Sequence, residues 1–245
     1  MRSQIDRDLG ELAEQRALLA ALSDDLTLPF LQIKTTLELL SKEDPKTFPQ
    51  HHQAMFLSAE NGLQLVEAYR LALMANDNAA LALEPVCIGA VLQDVAHQLS
   101  PYAKRHDTDI EVNVTGRLRP VLAHKLSLEA AIQCLGTSLM RAQIAQSGPK
   151  KHRMLLGAHR SDDNLIAAGV FSDASGLSDR TLRAARSLIG KARQPIANVP
   201  AGAASGVLIA DMLCSAMWQP LRSAAHHNMR GLVTSVPFSK QIQFV

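Results

Sequence analysis

From Ile5 to Leu40 the apolar side chains recur every three or four residues, at Ile5, Leu9, Leu12, Leu19, Leu26, Phe30, Ile33, Leu37 and Leu40, with only Arg16 and Ser23 breaking the alternation. Such a stripe runs along one face of an α-helix at the spacing of a helix–helix seam. The segment "SKEDPKTFPQ" interrupts it with two prolines, and the period resumes over residues 51–75 through Met55, Ala59, Leu63 or Gly62, Val66 and Leu73. Two long helices joined by a short loop pack as an antiparallel hairpin. One hairpin covers a single side of each stripe, so pairing of two copies into a dimeric four-helix bundle is the expected way to bury the rest.

Beyond residue 77 the pattern changes. Residues 87–106 read as a helix, 109–114 alternate as a strand, 125–146 read as a second helix, and "RMLLGAH" and "LIAAGVFS" flank the turn-rich "RSDDN" as a hairpin. A helix "DRTLRAARSLIGKA" then leads through the loop "RQPIANVPAGAASG" to a helix "VLIADMLCSAMW", and strands around "RSAAHH" and "GLVTSVPFS" close the sheet. The expected fold class is α+β: a helical hairpin over 1–77, then an α/β sandwich with helices on one sheet face over 78–245.

Composition changes this picture little. With 47% hydrophobic and 20% charged residues the chain has enough apolar side chains for a core, and a net charge of +2 gives no reason to expect nucleic acid as a partner. The densest basic run, Lys150, Lys151, His152 and Arg153, reads as a solvated loop. No apolar stretch approaches the roughly 18–20 residues that span a bilayer, and an amino terminus with Asp6, Asp8 and Glu11 lacks the form of a signal peptide. A cytoplasmic protein with no membrane partner is expected. Cys87, Cys134 and Cys214 lie far apart in apolar surroundings, as buried free thiols do.

One stretch resists this account. Residues 21–40 carry adjacent acids at Asp24 and Asp25 and a proline at Pro29, none of them favoured inside a helix. These residues and the order of elements resemble the catalytic core of bacterial sensor histidine kinases: a dimerisation and phosphotransfer hairpin followed by an ATP-binding domain of the gyrase/Hsp90/kinase type. The family's phosphoacceptor box, Ser-His-Glu/Asp-Leu-Arg-Thr-Pro-Leu, is matched in "SDDLTLPF" by Ser23, Asp25, Leu26 and Pro29, with Phe30 for the final Leu. The resemblance implies a kink at the proline near the reacting residue. It also implies that Asp24 occupies the phosphoacceptor position, where the family needs a neutral imidazole nucleophile. A carboxylate is a poor substitute, and His51 and His52, near the hairpin loop, are expected on the order of 30 Å away. Four positions on, where many members carry a water-orienting Thr or Asn, stands Leu28, which forms no hydrogen bond.

The ATP-binding half resembles the family in the same incomplete way. The box Asn-Leu-x-x-Asn-Ala becomes "CLGTSL", placing Cys134 and Ser138 at the two Asn positions, and a serine hydroxyl is a shorter, weaker ligand for octahedral Mg²⁺. Asp-x-Gly-x-Gly becomes "DASGLS", keeping Asp173, the adenine-binding carboxylate of the family, and Gly176. The phosphate-wrapping Gly-x-Gly-Leu-Gly becomes "GAASGV", keeping Gly202 and Gly206 but with Ala204 at the middle glycine. Asp173, Gly176, Gly202, Gly206 and Ser138 are therefore implied as a vestigial nucleotide site, with no catalytic residue and no metal site. No cofactor is expected, and residual ATP and Mg²⁺ binding stays open.

Three functions are compatible with these residues. The first is a histidine-kinase-like pseudokinase of two-component signalling that works by binding, either to a response-regulator receiver domain or to another histidine kinase. The second is an active ATP-binding kinase or phosphotransfer protein with displaced chemistry; the third is a structural or transcription-linked interaction domain, since fold does not fix function. The first accounts for packing residues that persist where reactive ones do not. Its docking face is expected one position off the seam, at Thr27, Leu31, Lys34 and Glu38, where Leu31 is an apolar anchor among polar neighbours.

Overall fold

The computed structural model of the protein describes residues 26–27, 29–40, 48–76, 81–147, 151–162, 164–173, 204–217, 220–226 and 228–239. Helix α1 covers residues 26–40, Leu28 lying outside the described residues, and α2 covers Phe48–Asn76. Then follow β1 (Glu84–Val86), α3 (Ile88–Arg105), β2 (Thr108–Val114), β3 (Val121–Ala123) and α4 (Lys125–Ser147). The order ends with β4 (His152–Asp162), β5 (Leu165–Ser172), α5 (Ala204–Ala216), β6 (Arg222–His226) and β7 (Met229–Pro237). The expected helix over residues 179–192 lies outside the described residues.

Five strands form a mixed sheet in the order β2-β4-β5-β7-β6, in which β2 and β4 are parallel and every other pair is antiparallel. The strands β1 and β3 make a separate antiparallel pair that the alternation did not predict, because three residues are too few to show a period. Alternate residues of the large sheet divide cleanly between its faces. Met154, Leu156, Ala158, Ile166, Ala168, Val170 and Leu232 join the main core beneath the helices. Leu155, Ala167, Phe171, Met229 and Val233 form a smaller cluster on the other face. There the Phe171 ring lies over Gly157, where an added Cβ would come within 2.9 Å of it, and beside His226, whose imidazole stacks on that of His159 at 5.5 Å.

Helix α3 is amphipathic, burying Ile88, Val91, Leu92, Val95 and Leu99 at helical spacing. Helix α4 is different: every residue from Cys134 to Met140 is buried, so this stretch has no solvent face. Helix α5 is nearly as enclosed. The cover comes from α2, which packs on both α4 and α5 and contributes Leu65, Ala68, Tyr69, Leu71 and Ala72 to the main core. The described architecture is thus three layers deep, with sheet, then α3, α4 and α5, then α2.

Within the hairpin the internal seam keeps Leu26, Ile33 and Leu40 of the expected stripe but takes Pro29 and Thr36 in place of Phe30 and Leu37. The less exposed residues of α1 are Leu26, Pro29, Gln32, Ile33, Thr36 and Leu40, and those of α2 include Ser58, Gly62, Leu65, Tyr69 and Ala72. Phe30 and Leu37, expected to face inward, are 63% and 53% exposed, and Leu63 and Val66 of α2 are also exposed. The reason is geometric: two helices meet along one narrow line, and a stripe wider than that line leaves its flank uncovered.

Candidate functional site

The α1 face is held by the α2 contact behind it. Gly62 of α2 offers a notch in which Leu26 and Pro29 sit at 3.7 and 3.8 Å from the position of an added Cβ, and Ser58 Oγ donates to Gln32 Oε1 at 3.1 Å one level further on. Pro29 is buried there, so its ring has a packing partner as well as a helix-breaking tendency. Thr35 and Thr36 turn their hydroxyls back to the carbonyls of Leu31 and Gln32, at 2.8 and 2.7 Å, satisfying themselves locally. All four residues of the expected docking face, Thr27, Leu31, Lys34 and Glu38, are exposed on this helix, Leu31 to 54%. Lys34 and Glu38 lie one turn apart with Nζ and Oε1 at 3.9 Å, a loose and solvated ion pair.

Asp24 and Asp25 lie outside the described residues. Leu26 packs at Gly62, ten residues along α2 from His52, which is about 15 Å of helix.

In the sheet half, Cys134, Ser138 and Gly206 come together. Gly206 sits in the first turn of α5 directly over α4, and a Cβ on it would collide with Ser138 Oγ and lie 3.0 Å from the Cys134 carbonyl oxygen. Both Cys134 and Ser138 are buried. Asp173 is elsewhere, exposed just past the end of β5, where its Oδ2 accepts the backbone N–H of Arg153 at 3.1 Å. Gly176 and Gly202 lie outside the described residues.

Two expectations need correction here. The basic run does not form a solvated loop throughout: His152 is buried in β4, Lys151 pairs with Asp109 at 2.9 Å, and Arg153 reaches Glu111 at 3.5 Å. The bond to Asp109 raises the Lys151 pKa, holding that ammonium charged. Of the three thiols, Cys134 and Cys214 are buried but Cys87, at the N-cap of α3, is exposed. Burial pushes the Cys214 thiol up to about 12, against the opposing bond to Thr234.

Two residues not anticipated from sequence tie elements together. Gln143, fully buried, donates from Nε2 to the Arg153 carbonyl at 3.1 Å, and Asp211, the one acid of α5, accepts the Leu221 N–H at 2.8 Å. A lone acid in an apolar helix is the signal that marks Asp211, whereas Gln143 is one of several polar residues along α4 and carries no such mark.

Solved structures share this arrangement over most of the chain. The histidine kinase AdeS of Acinetobacter baumannii superposes with a TM-score of 0.53 at 13% identity, over 89% of this chain and 98% of its own. The fold is that of a histidine-kinase core. Histidine kinase ThkA in complex with the response regulator protein TrrA gives a TM-score of 0.54 at 9% identity, over 91% of this chain and 62% of ThkA. Full-length ShkA in complex with AMPPNP gives 0.54 at 18%, over 95% of this chain but only 46% of ShkA, so the chain spans about half of that protein. No protein-family model and no curated protein sequence matches the chain. Among the described residues no helix is long and apolar enough to cross a membrane, and no group of three or more His, Cys, Asp or Glu side chains could hold a metal ion.

Proposed function

We propose that this chain is a pseudokinase of two-component signalling that binds a response-regulator receiver domain on α1 without exchanging a phosphoryl group. The observation that carries the proposal is the exposure of Leu31 among Thr27, Lys34 and Glu38 on one face of α1, in the sequence stretch that follows Asp24, which the family resemblance implies stands at the phosphoacceptor position. An apolar anchor ringed by polar groups is how a helix presents itself to another helix. The fold shared with ThkA, whose solved complex contains a response regulator, favours a receiver domain over another kinase as the partner.

The sheet half supports a role without catalysis. Ser138, at the position of the family's Mg²⁺-binding Asn, is buried against Gly206, and the gap between α4 and α5 there does not admit even a methyl group. A hydroxyl packed in this way is not offered to a hydrated divalent cation. Phe30 and Leu37 on α1, with Phe56 and Leu63 on α2, leave an apolar flank suited to a second copy, so the acting unit of the proposal is a cytoplasmic homodimer.

The test is a pull-down of receiver domains encoded beside the gene, with wild type and Leu31→Asp. Wild type retains a receiver and Leu31→Asp loses it, while the dimer and its melting temperature stay unchanged. Unchanged capture by the variant places the docking face elsewhere. Calorimetry with ATP and Mg²⁺ is the companion measurement: weak or no binding is expected, and a low-micromolar dissociation constant overturns the pseudokinase assignment.

A further inference from the structure

In a two-part chain the parts move against each other unless the contact between them is large and apolar. Here the residues that α2 buries against the sheet half belong to the main hydrophobic core. Leu65, Ala68, Tyr69 and Ala72 repeat at helical spacing along α2, all buried, and Tyr69 is the largest of them at 1% exposure. Ala68 and Ala72 are small enough to bring the α2 backbone close to its neighbours. The charges of this stretch lie on the opposite face, where Arg70 binds Glu67 through Nε and a second nitrogen at 2.8 and 2.6 Å, both side chains about half exposed.

The neighbours are equally committed. On α4 the unbroken burial from Cys134 to Met140 requires a cover on every side: the sheet below, Leu99 of α3 against Gly136, Gly206 of α5 against Ser138, and α2 above. A helix without a polar face is a central helix, not a surface one. Lifting α2 away would open apolar surface on α2, α4 and α5 at once.

We infer that α2 is a permanent third layer of the sheet half, so that hairpin and sheet open only together and no hinge works between them. This goes beyond the docking proposal and does not depend on it. A chain that binds by presenting α1 has that face held at a fixed position relative to the sheet, whatever binds there.

Native-state hydrogen exchange on the full-length protein tests this. In wild type the amides of residues 65–72 and 134–140 are expected to show protection within about tenfold of each other and to lose it along one common denaturant dependence. Tyr69→Ala should raise exchange in both segments by the same factor. Exchange of 65–72 faster than 134–140 by about a hundredfold or more, or acceleration by Tyr69→Ala confined to α2, overturns the inference. The wild-type comparison needs no variant, so a Tyr69→Ala protein that fails to fold leaves the test intact.

Discussion

At the scale of single residues, Gly206 and Ser138 make the most specific statement. The α5 backbone rests on α4 so closely that position 206 tolerates no side chain, and Ser138 supplies the atom that fills the space. Gly206→Ala is therefore expected to destabilise by about 1–3 kcal/mol, as overpacking of a tight core does. Ser138→Ala in the same chain should recover part of that loss, since the two sites are in contact and couple. Chemical denaturation of the four proteins of this cycle gives the answer, and additive losses would show that the two residues do not meet. The cysteines give a simpler check. Cys87 is exposed, whereas Cys134 and Cys214 are enclosed and the Cys214 thiol is held protonated by burial. A thiol reagent should label Cys87 alone in the native protein and all three cysteines after unfolding, because the thiolate must form and be reached before it reacts. Sequence placed the three thiols in one class because each has apolar neighbours along the chain. It could not show that Cys87 stands at the mouth of a helix, where its neighbours turn inward without it.

At the scale of elements, what was legible depended on whether a segment has one buried face. The alternating strand β2 and the amphipathic α3 follow from their patterns, since each has one side on the core, whereas β4, β5 and β7 are buried on both faces and were legible only as short apolar runs bounded by turn residues. The hairpin was legible as a hairpin but not in register: Phe30 and Leu37 belong to the same stripe as Ile33, and only the partner helix decides which half of a wide stripe it covers. α4 and α5 were found as helices, yet their central position was missed. The signal was present in "VLIADMLC", whose apolar residues circle the helix instead of keeping to one side. The end of α3 carries a pH-dependent term that periodicity cannot reveal. His106 follows the last turn, half-buried with its ring edge-on to Tyr102 at 4.6 Å, and burial, then the Arg105 charge, lower its pKa. The native state thus favours the neutral ring. As pH falls, the unfolded chain takes up this proton first, near its ordinary value of about 6.5, and the folded protein only later. The contribution is complete above that pH and is lost as pH drops from there toward the lower folded value. Thermal melts of wild type between about pH 7.5 and 5 should therefore decline more steeply than those of His106→Gln, and parallel curves would remove His106 from the account.

At the scale of the whole molecule, the likeness to histidine kinases concerns the path of the chain, while Asp24, Cys134, Ser138 and Ala204 are proposed to stand where the resemblance implies reactive residues. What persists is surface and packing. Among the exposed apolar side chains of the hairpin, two sets carry the proposal: Leu31, proposed to meet a receiver, and the flank of Phe30 and Leu37 with Phe56 and Leu63, proposed to meet a second copy. These lie on neighbouring lines of α1, so the two roles are separable by substitution but not by truncation. Deleting residues 1–77 would remove α2 from α4 and α5 and uncover their apolar faces, confusing loss of the dimer with loss of the fold. Charged substitutions avoid this, because Phe30 and Leu37 are already in water in the isolated chain and replacing them there costs under about 0.5 kcal/mol. Phe30→Asp combined with Leu37→Asp is expected to convert the dimer to a monomer by light scattering, with the far-ultraviolet dichroism of the sheet half intact. Two carboxylates brought from each copy into one seam would each lose water without gaining a partner, which no four-helix packing of this size tolerates. If the doubly substituted protein still elutes as a dimer, the copies meet elsewhere and the flank is a second binding surface for another protein. If wild type is already a monomer at micromolar concentration, the flank has no second copy to cover it and the homodimer is removed from the proposal.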